Sequence, residues 1–200
     1  MPESTDLSRA GIHRQKLTDP IRLALISDTH IFPSGQRAIS PHVFDLFHRS
    51  GATTIIHAGD VATTGVFDQL AEIAPVLAVS GNNDHGQFGG SLPELIELTI
   101  GGCLIRIVHG HGGRSARAVA AATSVECDAV IYGHSHIPMI ERVGEVILIN
   151  PGSPSDRRWH PHFGVGFLTV AAGVITPLLV PFENPRELER IELPPIVGSA

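Results

Sequence analysis

An α/β chain with two sheets packed face to face and helices outside them is the fold class that the order of apolar runs predicts. Three observations carry the prediction. Short apolar runs at residues 23–26, 55–58, 77–79 and 129–132 read as buried strands. Helix-like and strand-like stretches alternate in the first half, whereas strand-like runs joined by tight glycine turns dominate after residue 90. Finally, each of the four runs stops abruptly on residues able to bind ions, and strand ends are where α/β folds gather ligands and catalytic groups.

Residues 1–20 read as a loosely tied leader ending at Asp19-Pro20, and 21–27 as a buried strand with a sharp polar stop. Ser40-Pro41 opens a helix, with Ser as N-cap and Pro in the first turn. Val43, Phe44, Leu46 and Phe47 form its apolar face and Gly51 ends it. Residues 53–58 form a second strand, 66–74 a second helix and 75–80 a third strand. Further on, 92–100, 103–108, 146–149, 165–170 and 174–180 are strand-like, 129–132 is another buried strand, and alanine-rich 115–123 is a helix. The domain is expected to span 21–181, followed by a tail at 182–200 with one edge strand near 191–193.

At 200 residues the chain suffices for one full core. The net charge is −6, and Lys16 is the sole lysine, so the basic stripe expected of a protein gripping long nucleic acid is missing. Small phosphoesters remain compatible, because bound metals supply a positive field that side chains lack. No run of 18 apolar residues offers a membrane span and the first twenty residues lack a signal-peptide core, so a cytoplasmic location is the expectation. Cys103 and Cys127 have no metal-site spacing and read as small buried residues. Histidine stands out, with 12 copies.

These histidines fall into a scattered set: Asp28-x-His30, Gly59-Asp60, Gly81-Asn82-x-Asp84, His109, and Gly133-His134-Ser135-His136. Singly, each segment has an ordinary reading; Asp28 serves equally as an N-cap and Gly-Asp as a turn. Together, seven oxygen and nitrogen donors at strand ends point to a two-metal hydrolase site. Carboxylate, imidazole and amide donors suit Mn, Fe, Co, Ni or Zn better than Mg. Two such ions roughly 3.5–4 Å apart need a bridging ligand, and Asp60 is the natural bridge. A hydroxide shared by the ions would be the nucleophile, attacking in line, because metal binding draws the pKa of water from 15.7 down to about 7.

The same segments, with His109-Gly110-His111, resemble the metallophosphoesterases of the calcineurin-like superfamily. The run Ile56-His57-Ala58-Gly59-Asp60 and the segment Asn150-Pro151-Gly152-Ser153 resemble its small bacterial and archaeal phosphodiesterase branch. The resemblance spans residues 21–180. It implies a four-layer α/β/β/α sandwich and a dinuclear phosphodiesterase, with manganese among the candidate metals. It assigns Asp28, His30, Asp60 and His136 to one ion, and Asp60, Asn82, His109 and His134 to the other. It also implies a small phosphodiester substrate and allows a homodimer, for which the 165–180 hairpin offers an edge. Other members of the superfamily are phosphomonoesterases or protein phosphatases. A scaffold subunit of an endosomal coat complex resembles the same branch, so a metal-binding scaffold is the alternative class.

One residue departs from the superfamily pattern. Many members place a histidine after the Gly-Asn pair, and here that place holds Asn83, whose amide donates a hydrogen bond but supplies no proton. His111 is the expected substitute, and Asp84 is expected to orient its neighbours. His57 is expected to back the metal ligands and His85 to sit in an exposed loop. Arg157, Arg158, His160 and His162 form a polar cluster read as ordinary loop residues.

Overall fold

The computed structural model describes residues 12–88 and 90–196; expectations for residues 1–11 and 197–200, and for the side chain of His85, lie outside it. Eleven strands, β1 to β11, form two mixed sheets among these residues. The first sheet contains β1 (Ile12–Leu17), β5 (Leu95–Ile100), β6 (Cys103–Val108), β7 (Ala129–Tyr132), β8 (Met139–Val143) and β9 (Val146–Asn150), in the order β1-β5-β6-β7-β9-β8. The second contains β2 (Ile21–Ile26), β3 (Thr54–His57), β4 (Val76–Ala78), β10 (Phe163–Ala171) and β11 (Val174–Phe182), in the order β11-β10-β2-β3-β4. Pairing is parallel for β2, β3 and β4, and for β6, β7 and β9. Those strands therefore deliver their C-terminal ends in common directions within each sheet.

Alternation along the strands builds the layers. Leu23 and Leu25 of β2 enter one core with Ile105 and Ile107 of β6, Ile131 of β7, and Ile147 and Ile149 of β9, so this core lies between the sheets. The intervening Ala24 and Ile26 face a second core made with α1 (Pro41–Arg49) and α2 (Thr64–Ala71), which bury Val43, Leu46, Phe47, Val66 and Leu70. On the far side, Val130, Tyr132 and Leu148 meet Ala116 and Ala120 of α4 (Ala116–Thr123). This is the α/β/β/α layering that the resemblance implies. A short turn of helix, α3 (His85–Phe88), follows the third site segment.

Three features differ from the sequence reading. Residues 12–17 are not a loose leader, because β1 pairs in parallel with β5 over its whole length. Its mostly polar residues, half-buried or exposed, suit an edge strand and lack the apolar run that marks an interior one. Strand β8, also at an edge, was not anticipated. At the other end, the predicted strand at 191–193 is absent: a 3-10 helix (Pro185–Arg190) with an Asn184–Glu187 capping box leads into extended chain. Arginines take the place of a ladder there. Arg49 donates to the carbonyls of Ile191 (2.6 Å) and Leu188, and Arg22 donates to that of Pro194. The helix starts also differ in detail: Ser115 caps α4 through its side chain (3.2 Å from the Ala118 amide), whereas Ser40 makes no side-chain cap.

Candidate metal centre

The five polar segments meet where the two sheets present their strand ends. β2 runs out into Asp28 and His30, β3 into Asp60, β4 into Asn82–Asp84, β6 into His109, and β7 into His134 and His136. Backbone bonds zip these exits together: the Asp28 amide donates to Gly59 (2.9 Å), that of His30 to Asp60 (3.0 Å), and that of Gly133 to His109 (3.1 Å). Asp28, His30, Asp60, His134 and His136 all adopt left-handed backbone, with φ of 54°, 47°, 58°, 67° and 60°. Each such residue costs about 1–3 kcal/mol, and this strain persists only where the surroundings over-determine it. Two glycines permit the close approach. A side chain at Gly59 (φ 88°) would lie 2.6 Å from His109 Nδ1, and one at Gly81 would collide with Asp60.

Two triads of donor atoms result: Asp28, His30 and His136, and Asp60, His109 and His134, each with its atoms within 4.8 Å of one another. Asp28, His30, Asp60, His109 and His136 are buried, His134 is partly buried and Asn82 is exposed. The hydrogen bonds decide what the inward-facing nitrogens can do. His109 Nδ1 donates to the Ala58 carbonyl (2.8 Å), and His136 Nδ1 donates to that of Asp156. In the neutral rings, both Nε2 atoms then carry a lone pair into the site. His109 Nε2 faces Asn82 Oδ1 (3.2 Å), Asp60 Oδ2 (3.3 Å) and Asp28 Oδ1 (4.0 Å). His136 Nε2 faces His30 Nε2 (3.2 Å) and Asp28 Oδ1 (3.6 Å), while His30 Nε2 lies 3.5 Å from Asp60 Oδ2. Acceptors converging on acceptors need a proton or a cation between them. The donor set therefore fits divalent metal, with ring orientation fixed from behind as metal-ligating histidines require.

The ionisation of the site reflects the same crowding. Burial pushes the Asp28 carboxyl up to about 7, against the opposing pull of His109 and the Ser27 hydroxyl. Burial acts the same way on Asp60 but is outweighed by His109 and Asn83, which hold it well below the usual carboxylate range. Burial lowers His30 and His134, and takes His136 down to about 4, keeping these rings neutral and ready to ligate. For His109 the pull of Asp60 and Asp28 overcomes burial, and its pKa rises.

The remaining predicted residues separate clearly. Asp84 accepts from the amides of Asp60 (2.9 Å), Ala62 (2.9 Å) and Gly81 (2.8 Å), so it positions two of the ligand segments. Asn83 grips Asp60 twice, through its backbone amide to Oδ1 and its side-chain amide to Oδ2, both at 2.8 Å. The His111 ring is 5.4 Å from that of His109 and 6.5 Å from that of His134. His57 is fully buried with Nε2 3.1 Å from Thr29 Oγ1, and burial depresses its pKa to about 3. Arg157 is bound within its own loop, donating to His160 (3.2 Å) and Pro161 (2.6 Å), and His160 Nδ1 likewise meets the His162 carbonyl.

Sequence reasoning missed one supporting group. Asp156 accepts from His136 on its carbonyl and pairs with Arg37 (3.2 Å) through its carboxylate. Ser153 donates to the Asp28 carbonyl (2.8 Å) and Ser155 to that of Thr29 (2.7 Å). Asn150 holds Gly133 (2.9 Å) and Ser135 (3.0 Å). Of these, only the Asn150-Pro-Gly-Ser segment carried a sequence signal.

Comparison with known proteins follows the same residues. The family model described as the calcineurin-like phosphoesterase superfamily domain matches residues 21–173. A probable metallophosphoesterase of Methanocaldococcus jannaschii is 34% identical over 66% of this chain and 68% of its own. Phosphodiesterase YfcE of Escherichia coli is 30% identical over 68% of this chain and 80% of its own. Among solved structures, a single mutant of Vps29 from Entamoeba histolytica aligns with a TM-score of 0.63 at 26% identity, covering 81% of this chain and 99% of that one. An archaeal phosphodiesterase shares the fold, with a TM-score of 0.60 at 24% identity over 80% of this chain and 100% of its own.

Proposed function

This chain belongs to the calcineurin-like phosphoesterase superfamily, and from that premise we propose that it is a dinuclear-metal-dependent phosphodiesterase acting on small phosphodiesters. The observation that carries the reading is the convergence of the inward-facing lone pairs of His109 and His136, together with His30 Nε2, on the carboxylates of Asp28 and Asp60. Asp28, His30 and His136 would hold one ion; His109, His134 and Asn82 would hold the other, with Asp60 between them. Bound ions would supply Lewis-acid stabilisation of phosphoryl oxygens and acidify water enough to attack at neutral pH.

The protein's own groups do the rest. Ala58 and Asp156 carbonyls hold His109 and His136 in the tautomer that ligates. Asp84 fixes the turn that aims Asp60, and Asn83 holds the Asp60 carboxylate in its charged form. His111, beside His109 and His134, is the residue placed to give a proton to the departing oxygen. The occupied site would be positive in a protein of net charge −6, which favours a small anion over a long acidic polymer.

Elemental analysis of the purified protein, combined with a panel of mono- and diesters, tests this reading. Two transition-metal ions per chain and turnover faster on diesters support it. Stoichiometric metal without turnover on any ester would instead favour a metal-binding scaffold, and faster monoester turnover a phosphomonoesterase.

A further inference from the structure

The loop that follows Asn150-Pro-Gly-Ser is fastened to the site at every turn. Ser153 Oγ accepts from the Asp156 amide (2.8 Å) while donating to Asp28, and Ser155 donates to Thr29. Asp156 in turn receives His136 on its carbonyl and Arg37 on Oδ2, and its Oδ1 lies 3.3 Å from the Arg158 amide. Such a platform holds its next residues at a set position beside the ligands. Three arginines reach this rim, and two are already engaged. Arg37 pairs with Asp156 and donates to the His30 carbonyl (3.5 Å), and Arg157 is tied to His160 and Pro161 and lies over the Phe163 ring (5.4 Å).

Arg158 is different. It is exposed and held in left-handed backbone at φ 49°, and among the described residues its guanidinium has no hydrogen-bond or ion-pair partner. It stands two residues past Asp156, whose carbonyl holds His136, and its own amide lies 3.3 Å from Asp156 Oδ1. An unengaged guanidinium on a loop pinned beside the candidate metal site has the charge and fork geometry that phosphoryl oxygens accept.

We propose that Arg158 is the substrate-anion contact of this site, binding the non-bridging phosphoryl oxygens of the diester and, equally, the phosphate group of a product. The assignment rests on the phosphoesterase reading and deepens it. It places on the 150–158 loop the positive charge that the Gly-Asn segment lacks, since Asn83 spends its amide on Asp60. Because hydrogen bonds to charged groups contribute about 1.5–3 kcal/mol, losing the contact weakens phosphoryl binding about 10–100-fold.

The test is titration of the metal-loaded protein with inorganic phosphate by calorimetry, alongside diester kinetics. Arg158→Ala is expected to weaken phosphate binding and raise KM for the diester by at least about tenfold, with metal content unchanged. Arg158→Lys recovers part of both, and Arg157→Ala leaves both as in the parent. Parental phosphate affinity in Arg158→Ala overturns the proposal, as does absence of phosphate binding by the parent. Loss of metal together with phosphate affinity overturns it too, by giving Arg158 a structural role. A parent without turnover sinks the phosphodiesterase reading, whereas the phosphate titration still decides the role of Arg158.

Discussion

Asp84 shows how much of this site depends on residues that touch no ligand atom. Its two carboxylate oxygens accept three backbone amides, from Asp60, Ala62 and Gly81, and so hold a left-handed turn that would otherwise relax. Asp84→Asn replaces one acceptor by a donor facing amide hydrogens. Metal affinity is expected to fall about 10–100-fold, in line with losses on altering groups that orient ligands. Metal titration of the folded variant checks this, and unchanged affinity would reduce Asp84 to a turn residue. Asn83 leads to a second expectation at the same scale. It has no proton to give, so without His111 the reaction should depend steeply on leaving-group pKa, with activated aryl diesters much faster than alkyl ones. If His111 supplies the proton, His111→Asn should slow alkyl esters about 10²–10⁴-fold and aryl esters far less. Equal losses on both ester types would remove His111 from that role.

Elements were legible in proportion to how buried they are. β2, β3 and β7 are mainly apolar and buried throughout because helices cover one face and a sheet the other. The polar stops after them made the candidate donor set legible only together, since each alone reads equally well as a cap or a turn. β1 and β8 escaped because polar and charged residues interrupt their apolar positions, leaving no run to read. The Asp156–Arg37–His136 linkage escaped because it joins segments distant in sequence through a backbone carbonyl and a loop carboxylate. The C-terminal segment escaped because side chains of other elements hold it. Buried Arg22 donates to Ser50 (2.6 Å) and to Pro194, and Arg49 donates to Leu188 and Ile191. Replacing Arg22 by Ala strips a donor from the buried Ser50 carbonyl as well as from that of Pro194, and should cost about 1–3 kcal/mol. It should also open residues 185–196 to proteolysis faster than global unfolding does. Parental proteolysis of that segment would mean the latch is redundant.

At the scale of the whole molecule, the candidate metal site is expected to be a source of instability until it is filled. Strained left-handed turns, two buried carboxylates and neutralised histidines are held together by the sheets around them. The pH dependence of the metal-free protein follows from the direction of each shift. Asp28 is raised from 3.8 to about 7, so its stabilising contribution is full below the unfolded value and is lost as pH rises through about 7. His109, also raised, loses its contribution in the same direction above 6.5. His57, lowered from 6.5 to about 3, and His136, lowered to about 4, act oppositely. Their contributions are complete above 6.5 and disappear as pH falls toward the folded values. Of these four groups only the first pair still titrates between pH 6.5 and 8, so the chelated protein should lose Tm as pH rises through that interval. Metal needs Asp28 ionised and the His109 lone pair free, so the loaded protein should gain stability relative to the chelated one over the same interval. The gap in Tm between loaded and chelated samples should therefore widen from pH 6.5 to 8, with protons released on metal binding at pH 6.5. Calorimetry in buffers of different ionisation enthalpy counts those protons. A constant gap and no release would mean that Asp28 and His109 already stand in their ligating forms, and that folding around the empty site carries no electrostatic penalty.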